Sequence, residues 1–230
     1  MPIRLNKMNS NKRNKLTPVL LAVIIGLIVF ACGQKKTEEK KLLLPVIGPK
    51  TLAANGDTIY HTIKDFSLLN QYKEIISQQT TQNKIYAADF FFATCQSICP
   101  VMTSQLARVQ QAEKNNPDFL ILSHTVNPMH DTAEVLMEYA GKYGAIKNKW
   151  HFLTGDKKAI YNLAKEDYLV NALQYDGTPE GFLHSEAVLL IDKERRIRGI
   201  YDGTDSLQMN KLISDISILK TEMQSIQRNQ

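Results

Sequence analysis

At 230 residues with 43% hydrophobic side chains, the chain is long enough for one domain of ordinary size with flanking segments, and apolar enough to bury a core. Its formal net charge of +5 sits at the N-terminus: Arg4, Lys7, Lys12, Arg13 and Lys15 precede the first acidic residue, Glu38, and beyond residue 31 the 23 remaining basic residues meet 23 acidic ones. A formally neutral body offers no electrostatic footprint for DNA or RNA, which excludes nucleic acid as a partner.

The basic stretch to Lys15 is followed by an apolar run, Val19 to Ala31, interrupted only by Gly26. That is the pattern of an export signal and is short for a membrane span. The run ends in Val29-Phe30-Ala31-Cys32, which resembles the lipobox of bacterial lipoproteins, with Phe30 bulkier than usual there. The expectation is a signal peptide over residues 1–31, a diacylglycerol on Cys32, and a domain anchored to a bacterial membrane facing the periplasm or the cell exterior. An uncleaved N-terminal anchor is the alternative and delivers the domain to the same side. Gly33 to Pro45 is polar and charged, so residues 32–45 are expected to be a flexible tether and residues 46–230 the domain.

Within the domain, Thr58 to Leu69 reads as irregular extended structure or a hairpin leading into the core. Ile85 to Phe92, apolar except for Asp89, has the length of a buried central strand. Two cysteines follow directly. Pro100 sits where a helix starts, with Val101, Met102, Leu106 and Val109 on one face until Asn115-Asn116-Pro117 stops it. Then come a strand from Phe119 to Val126, a helix from Asp131 to Tyr143, a short strand from Trp150 to Leu153, and a short helix capped by Asp156. Strands His184 to Ile191 and Ile197 to Tyr201 flank the charged turn 192–196, and Asp205 caps a closing helix. This order predicts an α/β fold: thioredoxin-like, a mixed central sheet with helices on both faces and an N-terminal hairpin extension. In the closing helix Met209, Leu212, Ile216, Leu219, Met223 and Ile226 recur as a coiled-coil seam would. Packing on the sheet is the expected use, and a homodimer through the helix is the alternative.

With Cys32 assigned to lipid, Cys95 and Cys99 remain, four apart at a strand–helix junction. If Cys99 lies in the first helical turn, the positive end of the helix stabilises its thiolate. A plain disulfide staple is the bland alternative, but a bond closing so small a loop stabilises little and suits reversible chemistry better. A third ligand would come from His61, His124, His130, His151 or His184. Two thiolates and one imidazole make a soft site suited to Cu(I), with room for a further ligand in Cu(II), whereas structural zinc wants four protein ligands.

The segment Asp89-Phe90-Phe91-Phe92-Ala93-Thr94-Cys95-Gln96-Ser97-Ile98-Cys99-Pro100 resembles the strand and CxxxCP motif of the Sco/SenC family, membrane-tethered thioredoxin-fold copper chaperones of cytochrome c oxidase assembly. Asp65-Phe66 with Asn70-Gln71, Asn127-Pro128 with Asp131-Thr132, and Trp150 to Gly155 resemble later family segments in order, and Gly181-Phe182-Leu183-His184-Ser185 resembles the segment bearing the family's histidine. The likeness spans about residues 57 to 220. It implies copper held by Cys95, Cys99 and His184, and a cytochrome c oxidase copper-site subunit or another copper protein as partner. The chain departs from the family in Gln96 and Ser97, where Pro and an acidic residue are usual, and in Asn127, where Asp is usual. His130 is a candidate accessory ligand, while Met102 and Met129 are expected to be packing residues. The competing function is a thiol-disulfide oxidoreductase that uses Cys95 and Cys99 on partner cysteines without a metal-bound imidazole. A peroxide-consuming role lacks the Thr and Arg arrangement it would need.

Overall fold

The computed structural model describes residues 43–170, 174–175 and 183–227. The expected signal peptide, Cys32 and most of the tether lie outside the described residues, as do the side chains of residues 174–175, 183–184 and 225–227.

The continuous apolar run forms strand β5, Ile85–Phe91, buried along its whole length. A strand with no solvent face must be covered on both sides, and its alternating side chains feed two cores. Ile85, Ala87 and Phe91 join one cluster, and Tyr86, Ala88 and Phe90 join the other. β5 pairs in parallel with β6, Phe119–Thr125, which pairs in parallel with β7, Trp150–Thr154. Antiparallel strands complete the sheet on both sides. β3, Ser67–Asn70, pairs with β7 and with β4, Ile75–Ser77, while β10, Ala187–Ile191, pairs with β5 and with β11, Ile197–Asp202. The seven-stranded order is β11-β10-β5-β6-β7-β3-β4.

One face of the sheet is covered by α2, Ile98–Ala112, α3, Ala133–Lys142, and α5, Ser206–Gln227; a short helix, α1, Gln78–Thr81, follows β4. The opposite face is covered by α4, Lys157–Asn162, continuing through a π turn at Leu163–Asp167. This is the mixed, two-faced α/β sheet expected from the element order. Asp156 caps α4 by accepting the Ala159 N–H at 2.8 Å, and Asp205 accepts the Leu207 N–H at the start of α5. The seam of α5 is spent on the core: Met209, Leu212, Ile216 and Leu219 are fully buried and Met223 nearly so.

Three boundaries differ from expectation. The N-terminal hairpin lies earlier, with β1, Lys50–Leu52, against β2, Thr58–Tyr60, in a separate two-stranded sheet. The strand expected over 184–191 is broken, because the Ser185 hydroxyl accepts the Ala187 N–H and Glu186 turns its carbonyl to Gly203. Leu183–His184 therefore forms its own strand, β9, paired with β8, Gln174–Tyr175. Finally, the fold includes Leu44 and Pro45. Buried Arg198 donates to both of their carbonyls, at 2.6 and 3.0 Å, while pairing with Asp192 and Glu222. A buried guanidinium needs acceptors for all its N–H groups, and the end of the expected tether supplies two of them.

This clamp is testable. Arg198→Ala removes the buried cation that Glu222 and Asp192 share, with Arg196 still paired to Asp192, and urea denaturation should register a loss of about 3–5 kcal/mol. A loss below about 1 kcal/mol, the scale of a surface ion pair, would show the clamp to be dispensable.

Candidate metal centre

β5 delivers the chain to the end of the sheet, where residues 92–97 turn into α2. Both thiols are free and buried, Cys95 at 8% exposure and Cys99 at 3%. Pro100 occupies the first turn of α2, where its missing N–H costs nothing. The helix has no side-chain cap: Ser97, at the N-cap position, turns its hydroxyl to within 3.6 Å of Cys95 Sγ instead.

Burial pushes the Cys95 thiol up, but hydrogen bonds from the Cys99 thiol, the backbone N–H groups of Cys99 and Ser97, and the Ser97 hydroxyl outweigh it and leave the group below its ordinary value. Cys99 moves the other way. Burial and the neighbouring Cys95 sulfur drive its thiol far up, with some relief from the Phe92 backbone and a further push from the Asp89 charge. This reverses the polarity expected from sequence. Cys99 does lie in the first helical turn, yet the free N–H groups of that turn converge on Cys95, and burial governs Cys99.

Beneath the pair, Asp89 lies on the face of β5 that Phe91 shares, toward α2. It accepts from Ser123 Oγ at 2.5 Å, and Ser123 accepts from Trp150 Nε1 at 2.9 Å. Burial pushes Asp89 up to about 7, against the lowering effect of the Ser123 hydroxyl. Beside the pair, the fully buried Asp131 accepts the Ala93 N–H at 3.0 Å with one carboxylate oxygen, which also accepts the Thr125 hydroxyl. Its other oxygen lies 2.9 Å from His130 Nδ1. Sequence reasoning registered Asp89 and Asp131 as motif positions and missed these tasks. The buried-strand run around Asp89 was the available signal, since a carboxylate there must find a donor.

The five histidines separate cleanly. His124 stacks on Phe90 in the core of the opposite face, with Nε2 unpartnered, and burial lowers it to about 4. His151, on the same face of the sheet by alternation, bonds the Asn70 amide, and burial lowers it. His61 contacts the Asp167 carbonyl at 2.7 Å. His130 stands on the loop beside Asp131, half exposed. His184 has its backbone in β9, which lies alongside β5, while its side chain is outside the described residues. The β10–β5 register ends with Leu189 opposite Ala88, and the break at Ser185 separates it from β9. Among the described residues no three His, Cys, Asp or Glu side chains are grouped to hold a metal ion. Met102 is buried as expected, whereas Met129, expected to pack, is 86% exposed because the turn that carries it points away from both cores.

Two thiols within hydrogen-bonding reach of each other, one already polarised toward the thiolate, fit a soft metal ion and fit reversible dithiol chemistry equally.

The SCO1/SenC family model matches residues 55–219. An SCO1 protein homolog of Bacillus subtilis is 24% identical over 209 residues, covering 90% of this chain and 98% of that protein. Among solved structures, BsSco, described as a member of the Sco family of cytochrome c oxidase assembly proteins with a disulfide switch, superposes with a TM-score of 0.62 at 26% identity, covering 70% of this chain and 94% of that one. Bradyrhizobium japonicum ScoI, solved with copper bound, superposes with a TM-score of 0.56 at 17% identity, covering 69% of this chain and 99% of that one.

Two outcomes test the electrostatics of the centre. Limited iodoacetamide labelling of the reduced chain at neutral pH, read by mass spectrometry, should modify Cys95 well before Cys99; equal labelling would contradict the thiol polarity. Asp89 holds its proton in the fold well above the unfolded value of about 3.9. The folded state therefore binds the extra proton between about pH 4 and 7, and Asp89's contribution to stability falls as pH rises through that window and is level above it. Asp89→Asn should flatten that decline in urea denaturation measured across the window, and an unchanged pH profile would show that Asp89 ionises normally.

Proposed function

The chain belongs to the SCO1/SenC family, and from that premise we propose that it is an exported copper-binding protein, holding one copper ion between Cys95, Cys99 and His184 and passing it to the copper-site subunit of a cytochrome c oxidase. The observation that carries the reading is the thiol pair itself: two free, convergent sulfurs at the mouth of a parallel strand, with Cys95 polarised by a helix terminus. Thiolates are soft donors that favour Cu(I). The His184 backbone on β9, a strand that lies alongside β5, supports the third ligand. The copper found on the Bradyrhizobium relative, and the oxidase assembly role by which BsSco is described, point the same way.

In the proposed topology residues 1–31 direct export, Cys32 carries lipid, and a tether from Cys32 leaves the domain facing the periplasm or exterior. Among the described residues no helix is long and apolar enough to cross a membrane, and the proposal assigns anchoring to Cys32. Asp131 and Ser97 hold the loop through hydrogen bonds of the protein's own groups, and this reading takes copper as cargo.

The opposed shifts of Cys95 and Cys99 favour a second reading, a thiol-disulfide oxidoreductase. The lowered, less buried Cys95 is suited to attack a partner disulfide, and the more buried Cys99 to resolve the mixed disulfide. His184 separates the two. Titration of the reduced chain with Cu(I) against a competing chelator should give one equivalent bound. Cys95→Ser and Cys99→Ser should each abolish tight binding, and His184→Ala should weaken it more than about tenfold while sparing the rate of partner-disulfide reduction. Unchanged copper affinity in His184→Ala would overturn the three-ligand proposal and leave the dithiol reading.

A further inference from the structure

We propose that the turn Asn127–His130 carries a second, weaker site for a soft monovalent metal ion, with Met129 Sδ and His130 Nε2 as donors, where Cu(I) is taken up before it reaches the thiols. The inference rests on the copper reading above, because a loading site beside the thiols has a use only if the thiols hold copper.

The turn is well defined. The N–H groups of His130 and Asp131 both donate to the Asn127 carbonyl, at 3.0 and 2.9 Å. At its tip Met129 is 86% exposed, which forfeits the burial that ordinarily retains a methionine. A thioether held in solvent keeps one property, its softness as a metal donor.

The next residue is oriented as a ligand. His130 is half exposed, and its Nδ1 lies 2.9 Å from Asp131 Oδ1. Asp131 is buried and accepts the Ala93 N–H and the Thr125 hydroxyl on its other oxygen. A carboxylate acceptor fixes the proton on Nδ1, so the lone pair sits on Nε2, at the outer end of the ring. A carboxylate behind a histidine in this way sets the tautomer and raises the donor strength of the free nitrogen. The carboxylate that orients His130 is also the group that ties down Ala93, two residues before Cys95. The exposed donor pair and the thiol loop thus hang from one buried side chain. Two donors bind weakly and exchange quickly, whereas the buried thiol pair binds tightly, so an ion acquired at the turn moves toward the sulfurs down a gradient of affinity.

The test uses the full chain and Ag(I), a redox-inert stand-in for Cu(I). In the Cys95→Ser/Cys99→Ser variant, Ag(I) should shift the Met129 methyl and His130 ring NMR signals. Adding Met129→Leu and His130→Gln should weaken that binding about tenfold or more. In the otherwise native chain, Met129→Leu/His130→Gln should slow loading from a Cu(I) chelator about tenfold. Absence of the Ag(I) shifts, or an unaltered loading rate, would overturn the site. Failure of the native chain to bind Cu(I) would instead overturn the copper reading, and the Ag(I) shifts would still report on the turn.

Discussion

The constraint on which the centre depends is the buried carboxylate of Asp131. It joins three segments that sequence separates: the start of the cysteine loop at Ala93, the end of β6 at Thr125, and the turn bearing His130. A buried carboxylate is stable only if its oxygens are satisfied, and each of these partners gains the same acceptor in return. The loop between β5 and α2 is consequently tied to the sheet by the protein's own groups.

The polarity of the thiol pair follows from that fixed loop. Because the chain turns sharply into α2, the first free N–H groups of the helix meet the Cys95 sulfur, and Ser97 gives up its capping position to add its hydroxyl. Cys99, in the first turn of α2 and the more buried of the two, is left with burial as its largest influence. A depressed and an elevated thiol side by side provide one sulfur ready to bind and one that yields its proton when a cation or an oxidant arrives. The metal and redox readings are two uses of one electrostatic arrangement.

Much of this architecture was legible from residue patterns alone. The apolar run 85–92 marks a central strand because no other element of its length tolerates so little polarity, and Asp156 and Asp205 announce helix starts through their capping chemistry. The position of Cys95 and Cys99 at the strand–helix junction follows from that run and from Pro100 at the start of the next helix. The rest depends on contacts between distant parts of the chain. The Arg198 clamp on Leu44 and Pro45 has no local signature, and the break at Ser185 couples a local hydroxyl turn to a distant contact from Gly203. Helix position alone points to Cys99 as the lowered thiol, whereas dipole and burial act together and the fold directs the lowering to Cys95. Met129 was expected to pack for the same reason: hydrophobicity predicts burial on average, and a tight turn at the rim overrides it.

The copper proposal requires a single Cu(I) ion shared by the two sulfurs at the mouth of β5 and one imidazole from the β9 segment. X-ray absorption spectroscopy of the Cu(I)-loaded chain addresses it directly, because sulfur and nitrogen scatter distinguishably in the first coordination shell. The account predicts two sulfur scatterers and one imidazole nitrogen per copper. A spectrum with no sulfur in that shell, or with sulfur alone and no imidazole, would contradict it.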